Sequence, residues 1–274
     1  MSQVKQKVED KIEKFKTKEQ GKLIWLLEEY DNEGLQQYLA QLDEQSPPGE
    51  VVDDGRNDLI KWTTAEQKEL MVKKFNLTRT YDKLRFCVLD SKAVRSLRIA
   101  LALEEIGVKT PKPIAVVEER GNFNQLVYSY YLTEYVDYDY NLLNIVADDN
   151  HPRRDQVKEL LPGIAQDVRK MHQAGIIHND LHAGNILVKD IDEEPEFYYI
   201  DLNRGRIKNE LSTKQQLKDL ARFDLTTEEQ EIFMKHYAPE RYQGLLAQMR
   251  EQREKRELFL QWKRSIRDKL KFWE

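Results

Sequence analysis

Apolar residues recur along this chain with two different periods, and the switches between them mark its organisation. Between residues 2 and 18, Val4, Val8, Ile12 and Phe15 fall on one helical stripe with lysines elsewhere. Residues 22–30 and 34–43 read as two more short helices, parted by Asp31-Asn32-Glu33-Gly34. Ser46-Pro47-Pro48-Gly49 breaks the helical run. From Gly49 the pattern is that of strands joined by tight turns: Val51-Val52, Leu59 to Thr63, and Leu70 to Phe75. Helical spacing returns from Ser91 to Ile106, with Val94, Leu97, Ala100, Leu101 and Ile106 on one face and Gly107 as the stop. Pro111 to Val117 and Gln125 to Tyr135 read as two further strands, the second rich in tyrosine. Asp155 to Gln173 is a strongly amphipathic helix that turns Val157, Leu160, Leu161, Ile164, Val168 and Met171 inward. Helices are expected at 212–222 and 227–237, and one long helix at 239–271. The expected architecture is α+β, with a β-rich part at 49–136, a helical part at 137–238, and helical extensions at 1–48 and 239–274.

Composition narrows the class. Of the 274 residues, 34% are charged and 40% apolar, which suits a globular, helix-rich protein of one two-lobed domain or two small ones. The formal charge of −5 gives no reason to expect nucleic-acid affinity. Cys87 is the single cysteine, so no intrachain disulfide can form and a reducing, cytoplasmic setting is the simpler expectation. MSQVKQKVEDKIEKFK carries no apolar core of the signal-peptide kind, and no apolar run approaches the roughly 20 residues of a membrane span. Membrane contact is therefore expected to be peripheral, at the inner face.

The chemistry is concentrated in His178-Asn179-Asp180-Leu181-His182-Ala183-Gly184-Asn185-Ile186-Leu187 and in Tyr198-Tyr199-Ile200-Asp201-Leu202-Asn203. Phosphoryl transfer from ATP needs a carboxylate to take the proton of the attacking hydroxyl, and oxygen donors to hold Mg²⁺ on the phosphates. An Asp, an Asn five residues later, and an Asp closing an apolar strand supply those parts in order. Protein kinases write them as H-R-D-L-x-x-x-N followed by D-F-G. The match here is His178, Asp180, Leu181, Asn185 and Asp201. His172, at the end of its helix, reads as a packed residue rather than a ligand.

HNDLHAGNIL together with YIDLNRGRI is similar to the protein-kinase-like superfamily, and to its small-molecule and glycan kinases more than to its protein kinases. Asp201-Leu202-Asn203-Arg204 resembles the lipopolysaccharide core kinase family, which phosphorylates Kdo or heptose. So do Ser91-Lys92-Ala93-Val94-Arg95-Ser96 and the stretch Gly107 to Ile114. The resemblance spans roughly residues 49–238 and implies a kinase-like small lobe at 49–136, a large lobe at 137–238, and ATP with Mg²⁺ as cofactors. It implies Asp180 as catalytic base, His178 as a brace of its loop, Asn185 and Asp201 as metal ligands, and a lipid-linked or soluble sugar as acceptor. Asn179 stands where many protein kinases carry the arginine that answers a phosphorylated activation segment, and no A-P-E motif follows. Both features fit constitutive activity.

The nucleotide-binding residues are read from order along the chain. Asp53-Asp54-Gly55-Arg56-Asn57 occupies the place of the glycine-rich phosphate loop with one glycine, so Gly55 and Arg56 are candidates, and the same residues suit a plain hairpin turn. Lys73 follows Leu70-Met71-Val72 as the phosphate lysine follows its apolar residues, with Lys74 expected on the solvent side. The backbone of Glu134 and Val136 is expected to face adenine. The helix from Ser91 lacks the glutamate that clamps this lysine: Ser96 holds the aligned position, and Glu104 and Glu105 lie in the last turn. This departure keeps a non-catalytic pseudokinase open beside the kinase, as the HxDLHxGN pattern keeps open an aminoglycoside- or choline-type phosphotransferase. Two amphipathic segments also keep two readings. The N-terminal helix is either a cap on the domain or a basic membrane-surface helix. At 250–273 the apolar stripe of Leu258, Trp262, Ile266 and Leu270 is flanked by Arg253, Lys255, Arg256, Lys263, Arg264, Arg267, Lys269 and Lys271. That stripe either meets an anionic membrane surface or docks on the domain.

Overall fold

The computed structural model describes residues 3–19, 21–45, 47–53, 55, 57–77, 82 and 85–271. Backbone contacts divide the chain into two compact units, Met1–Tyr138 with Tyr198–Asn209, and Asp139–Phe197 with Glu210–Glu274.

The first unit is built on a seven-stranded antiparallel sheet. Its strands are β1 (Lys16–Glu19), β2 (Lys22–Leu26), β3 (Glu50–Asp53), β4 (Asp58–Thr63), β5 (Glu69–Lys74), β6 (Pro113–Arg120) and β7 (Leu126–Glu134), in the order β1-β2-β6-β7-β5-β4-β3. Residues 22–30, expected as a helix, supply β2 and a 3₁₀ turn at Glu28–Tyr30 instead. A short apolar run such as Leu23-Ile24-Trp25-Leu26 suits either element, and β6 decides it by pairing Ile24 with Val117 and Trp25 with Val116. The first 48 residues are thus not a helical extension, because two of the seven strands come from them.

Helix α1 (Gln3–Lys14) buries Val8 and Ile12, and its Glu9 accepts from Arg98 at 2.9 Å on helix α3 (Lys92–Glu105). Its apolar stripe is spent on the domain, as the cap reading expects. Helix α2 (Glu33–Gln41) covers one face of the sheet. Leu35, Tyr38 and Leu39 pack with Ile24, Ile60, Leu70, Val72, Val117, Tyr130 and Leu132, and the Tyr38 ring stacks on Trp62 at 3.7 Å. The chain leaving α2 presents a row of carbonyls that a helix end cannot satisfy itself. Lys22 donates to Leu42, Tyr128 to Leu42, Tyr130 to Asp43 and Gln45, and Lys74 to Glu44.

Lys74 therefore corrects the expectation of a solvent-facing lysine: it is 9% exposed, beneath the segment that follows α2. Alternation along β5 places it with Leu70 and Val72, and nothing local to β5 marks this face as covered. Lys74→Ala is expected to lower stability by about 1–3 kcal/mol, because the Glu44 carbonyl loses its donor inside the protein. A urea midpoint that falls for Lys74→Ala and stays put for Lys73→Ala checks this.

The second unit carries β8 (Tyr140–Asn141), α4 (Leu142–Val146), α5 (Val157–Gln173), β9 (Ile176–Ile177), β10 (Ile186–Lys189), α6 (Thr213–Leu220), α7 (Thr227–Tyr237) and α8 (Tyr242–Lys271). Strand β11 (Glu196–Tyr199) runs across the division of the chain, and β12 (Arg206–Ile207) follows in the first unit. Capping boxes at Ser212 and Thr226 start α6 and α7. Leu245, Leu246 and Met249 dock the first half of α8, whereas Leu258, Phe259, Trp262 and Ile266 in its second half are exposed. Among the described residues no helix is long and apolar enough to cross a membrane.

Candidate active site

In the first unit the decisive pair is Lys73 and Asp201. Lys73 lies on the face of β5 opposite Leu70, Val72 and Lys74, and its Nζ sits 2.8 Å from Asp201 Oδ1. Asp201 holds a left-handed backbone (φ 57°, ψ 47°), and Asn203 Nδ2 donates to the same oxygen at 2.5 Å. Such a backbone is unfavourable for most side chains but accessible to Asp and Asn. The residue after the turn, Gly205, lies so close to α3 that an added Cβ would meet Ile99 at 2.7 Å.

The missing helix glutamate is accounted for here. Ser96, buried in α3, donates its hydroxyl to Lys92 O at 2.9 Å, and Glu105 pairs with Lys7. Glu104 has its carboxyl raised by burial, with the charges of Lys11 and Lys112 opposing the shift. The carboxylate that Lys73 meets is Asp201.

The other nucleotide candidates are placed less simply. Gly55 N–H donates to Asp53 Oδ1 at 3.1 Å, so a carboxylate stands where a phosphate oxygen was expected. Arg56 lies outside the described residues. Glu134 closes β7: its N–H donates to Lys112 O at 2.9 Å and its carboxylate accepts from Tyr30 at 2.7 Å. Val136 follows in the segment after β7.

The second unit holds the loop 178–185. His178 is buried, Asn179 takes a left-handed backbone (φ 62°), and Asp180 is half-buried with its N–H 3.3 Å from His178 Nδ1. Asn185 is buried and gives Nδ2 to Asp180 O at 2.9 Å, and the same nitrogen lies 3.1 Å from His182 Nε2. His182 is tied to the loop itself, its Nδ1 accepting from Gly184 N–H at 3.1 Å.

Two functional residues escaped the sequence reading. Asp219, buried in α6, accepts from the N–H groups of His178 at 3.0 Å and Asn179 at 2.8 Å, so one carboxylate fixes the turn that presents Asp180. His172 Nε2 lies 3.4 Å from the same carboxylate while its Nδ1 meets Tyr237 OH at 2.7 Å, which gives the buried His172 a bracing role. The available signal was an aspartate between Leu217 and Leu220 on a helix whose buried arc includes both. Arg222 is the second, with Nη1 3.5 Å from Asp180 Oδ1.

A buried carboxylate cradling the main chain of an HxD loop, together with a lysine–aspartate pair at the sheet, points beyond a generic α+β domain. The sequence matches the lipopolysaccharide kinase (Kdo/WaaP) family over residues 45–239. The chain belongs to that family. Among curated proteins it is similar to a 3-deoxy-D-manno-octulosonic acid kinase of Haemophilus influenzae, 28% identical over 143 residues. The match covers 52% of this chain and 57% of the relative. An enzyme of the same description from Vibrio cholerae is 35% identical over 123 residues, covering 44% of this chain and 47% of the relative. The chain thus spans about half the length of the curated relatives it matches. Among solved structures, that of WaaP in complex with acyl carrier protein shares the fold, at TM-score 0.57 and 20% identity, over 85% of this chain and 98% of that one. Within the Kdo/WaaP family frame, the matched stretch contains Lys73, the loop 178–185, Asp201, Asp219 and Arg222, but ends before α8.

Proposed function

We propose that this member of the family is an ATP-dependent kinase that phosphorylates a sugar hydroxyl of the lipopolysaccharide core, with Kdo as the first candidate acceptor. The observation that carries the reading is the Asp180 loop, whose main chain is held by Asp219 and Asn185. A carboxylate presented in this way can accept the proton of an attacking hydroxyl.

Lys73 and Asp201 fit the nucleotide and its metal. Their charges are only partly covered, at 19% and 31% exposure of the side chains, so the ammonium can turn to phosphate and the carboxylate to a cation. Asn185 Oδ1 and Asp201 are hard oxygen donors of the kind Mg²⁺ takes. Bound Mg²⁺ would neutralise charge on the β- and γ-phosphates. Glu134 would offer adenine its carbonyl, since its N–H is committed to Lys112, and Val136 its backbone. His178 would brace the loop. Asp53 on Gly55 speaks against a phosphate cradle built from that glycine. The test is transfer of radiolabelled γ-phosphate from Mg²⁺-ATP to Kdo-lipid A, heptosylated core, aminoglycosides and choline. Label on the lipid sugars alone is expected, and label only on aminoglycosides or choline overturns the reading.

The surroundings proposed for the enzyme are the cytoplasm and the inner face of the membrane. Leu258, Phe259, Trp262 and Ile266 are exposed on α8 with Lys263 and Arg264 between them, a composition suited to an anionic lipid surface. Each cation near such a surface contributes about 1 kcal/mol, which salt screens. Sedimentation with phosphatidylglycerol vesicles at low salt, and release as salt rises, is expected. A chain ending at Glu257 should stay folded and stay in solution, because Leu245, Leu246, Met249 and Arg253 keep their contacts. Cutting before Arg250 would instead remove Arg250 and Arg253, whose guanidiniums bond Thr227, Phe223 and Leu225 carbonyls. Binding of the shortened chain equal to that of the intact one refutes the membrane role of 258–273.

A further inference from the structure

Helix α8 brings cations to the catalytic loop from outside the part of the chain that the family match covers. Arg253 anchors it: its guanidinium donates to the carbonyls of Phe223 and Leu225 at 3.2 Å and pairs with Asp224. Residues three apart share a helix face, so Arg256 stands one turn beyond this anchor, toward the 222–225 segment. Arg222 at the start of that segment already lies 3.5 Å from Asp180 Oδ1.

Each carboxylate at this place already faces another arginine. Asp224 and Glu257 are both taken by Arg253. Asp180 has Arg222 beside it, and among the described residues no carboxylate is within ion-pair distance of Arg256. Partial burial holds the Arg256 guanidinium below its usual range, with the like charge of Arg222 adding to the effect and Asp180 opposing it. Arg256 is thus half-covered and feels the Asp180 carboxylate without forming an ion pair of its own.

We infer that Arg222 and Arg256 form an acceptor subsite that takes the carboxylate of an acidic sugar and sets its hydroxyl toward Asp180. The inference rests on the kinase reading above and deepens it. The guanidinium fork matches a carboxylate bidentately, which fixes orientation as well as affinity. An anion here also draws the two arginines away from Asp180, leaving that carboxylate to the hydroxyl proton. The subsite separates acidic sugars from neutral ones by the penalty of leaving Arg256 without an ion-pair partner.

The test is direct binding by titration calorimetry on the full chain, with 3-deoxy-D-manno-octulosonic acid and its methyl ester as probes. The wild type is expected to bind the acid about tenfold or more tightly than the ester, the size of one charge-assisted hydrogen bond. Arg256→Gln and Arg222→Gln should each erase that preference, while Arg264→Gln on the exposed half of α8 should keep it. Equal binding of acid and ester, no binding of either, or an Arg256→Gln variant that retains the preference overturns the subsite. So does inorganic phosphate that competes as well as the acid, since the site would then take any oxyanion. Because binding needs no turnover, acid preference without phosphoryl transfer would remove the kinase reading and leave the subsite standing. In an active enzyme, Arg256→Gln is expected to raise KM for the acidic acceptor and leave KM for ATP where it was.

Discussion

Asp180→Ala is expected to lower phosphoryl transfer by about 10²–10⁴-fold, the usual contribution of a positioned general base, and to leave the protein folded. The loop has supports other than the Asp180 side chain. Its main chain is held by Asp219 through His178 and Asn179, and by Asn185 through the Asp180 carbonyl. Removing the carboxylate therefore takes away the proton acceptor and leaves the scaffold. Single-turnover transfer with the acceptor that the labelling test identifies, beside thermal unfolding of the same variant, separates the two effects. Activity above about a tenth of wild type, with normal folding, would sink Asp180 as the base. A variant that unfolds would instead show that the loop is less self-supporting than Asp219 makes it.

Asp201→Asn is the second large effect. Asparagine accepts the left-handed backbone that Asp201 occupies (φ 57°), so the substitution removes charge without adding strain. It removes the anion that Lys73 meets and the carboxylate proposed to hold Mg²⁺. Transfer should fall by about 10²–10³-fold, the size of effect seen when one electrostatic partner of a developing charge is lost. The Mg²⁺ concentration for half-maximal activity should rise as well. Asp201→Ala should show the same loss together with a lower melting temperature, because alanine pays for the left-handed backbone. An Asp201→Asn enzyme with unchanged Mg²⁺ dependence would refute the metal assignment, whatever its rate.

Both variants belong to the part of the site that local sequence discloses. His178, Asp180 and Asn185 fall within eight consecutive residues, so their spacing alone constrains one loop. Lys73 and Lys74 illustrate the opposite case. Strand alternation sends them to opposite faces, yet which face is dry depends on α2, whose Leu35, Tyr38 and Leu39 cover the Leu70 and Val72 side. The helix expected at 22–30 failed for a related reason. The apolar run there is too short to distinguish helix from strand, and pairing with β6, about ninety residues away, settled it.

The sequence by itself determined the elements whose signals are local. Amphipathic periodicity marked α5, α6, α7 and α8, β-branched and aromatic runs marked β4, β5 and β7, and the HxD loop carried its own residue types. Tertiary structure alone decided the polar partnerships. Asp219 lies 41 residues from His178 and carries no motif, but a buried carboxylate must be satisfied, and the two loop N–H groups satisfy it. The same holds for Lys73, which has no glutamate on α3 and meets Asp201, 128 residues on. It holds for Arg222, which meets Asp180 42 residues before it. Hydrogen bonds and ion pairs are short in space and indifferent to separation along the chain. Periodicity therefore writes the elements into the sequence, while the partner of each buried charge appears only when the chain is folded.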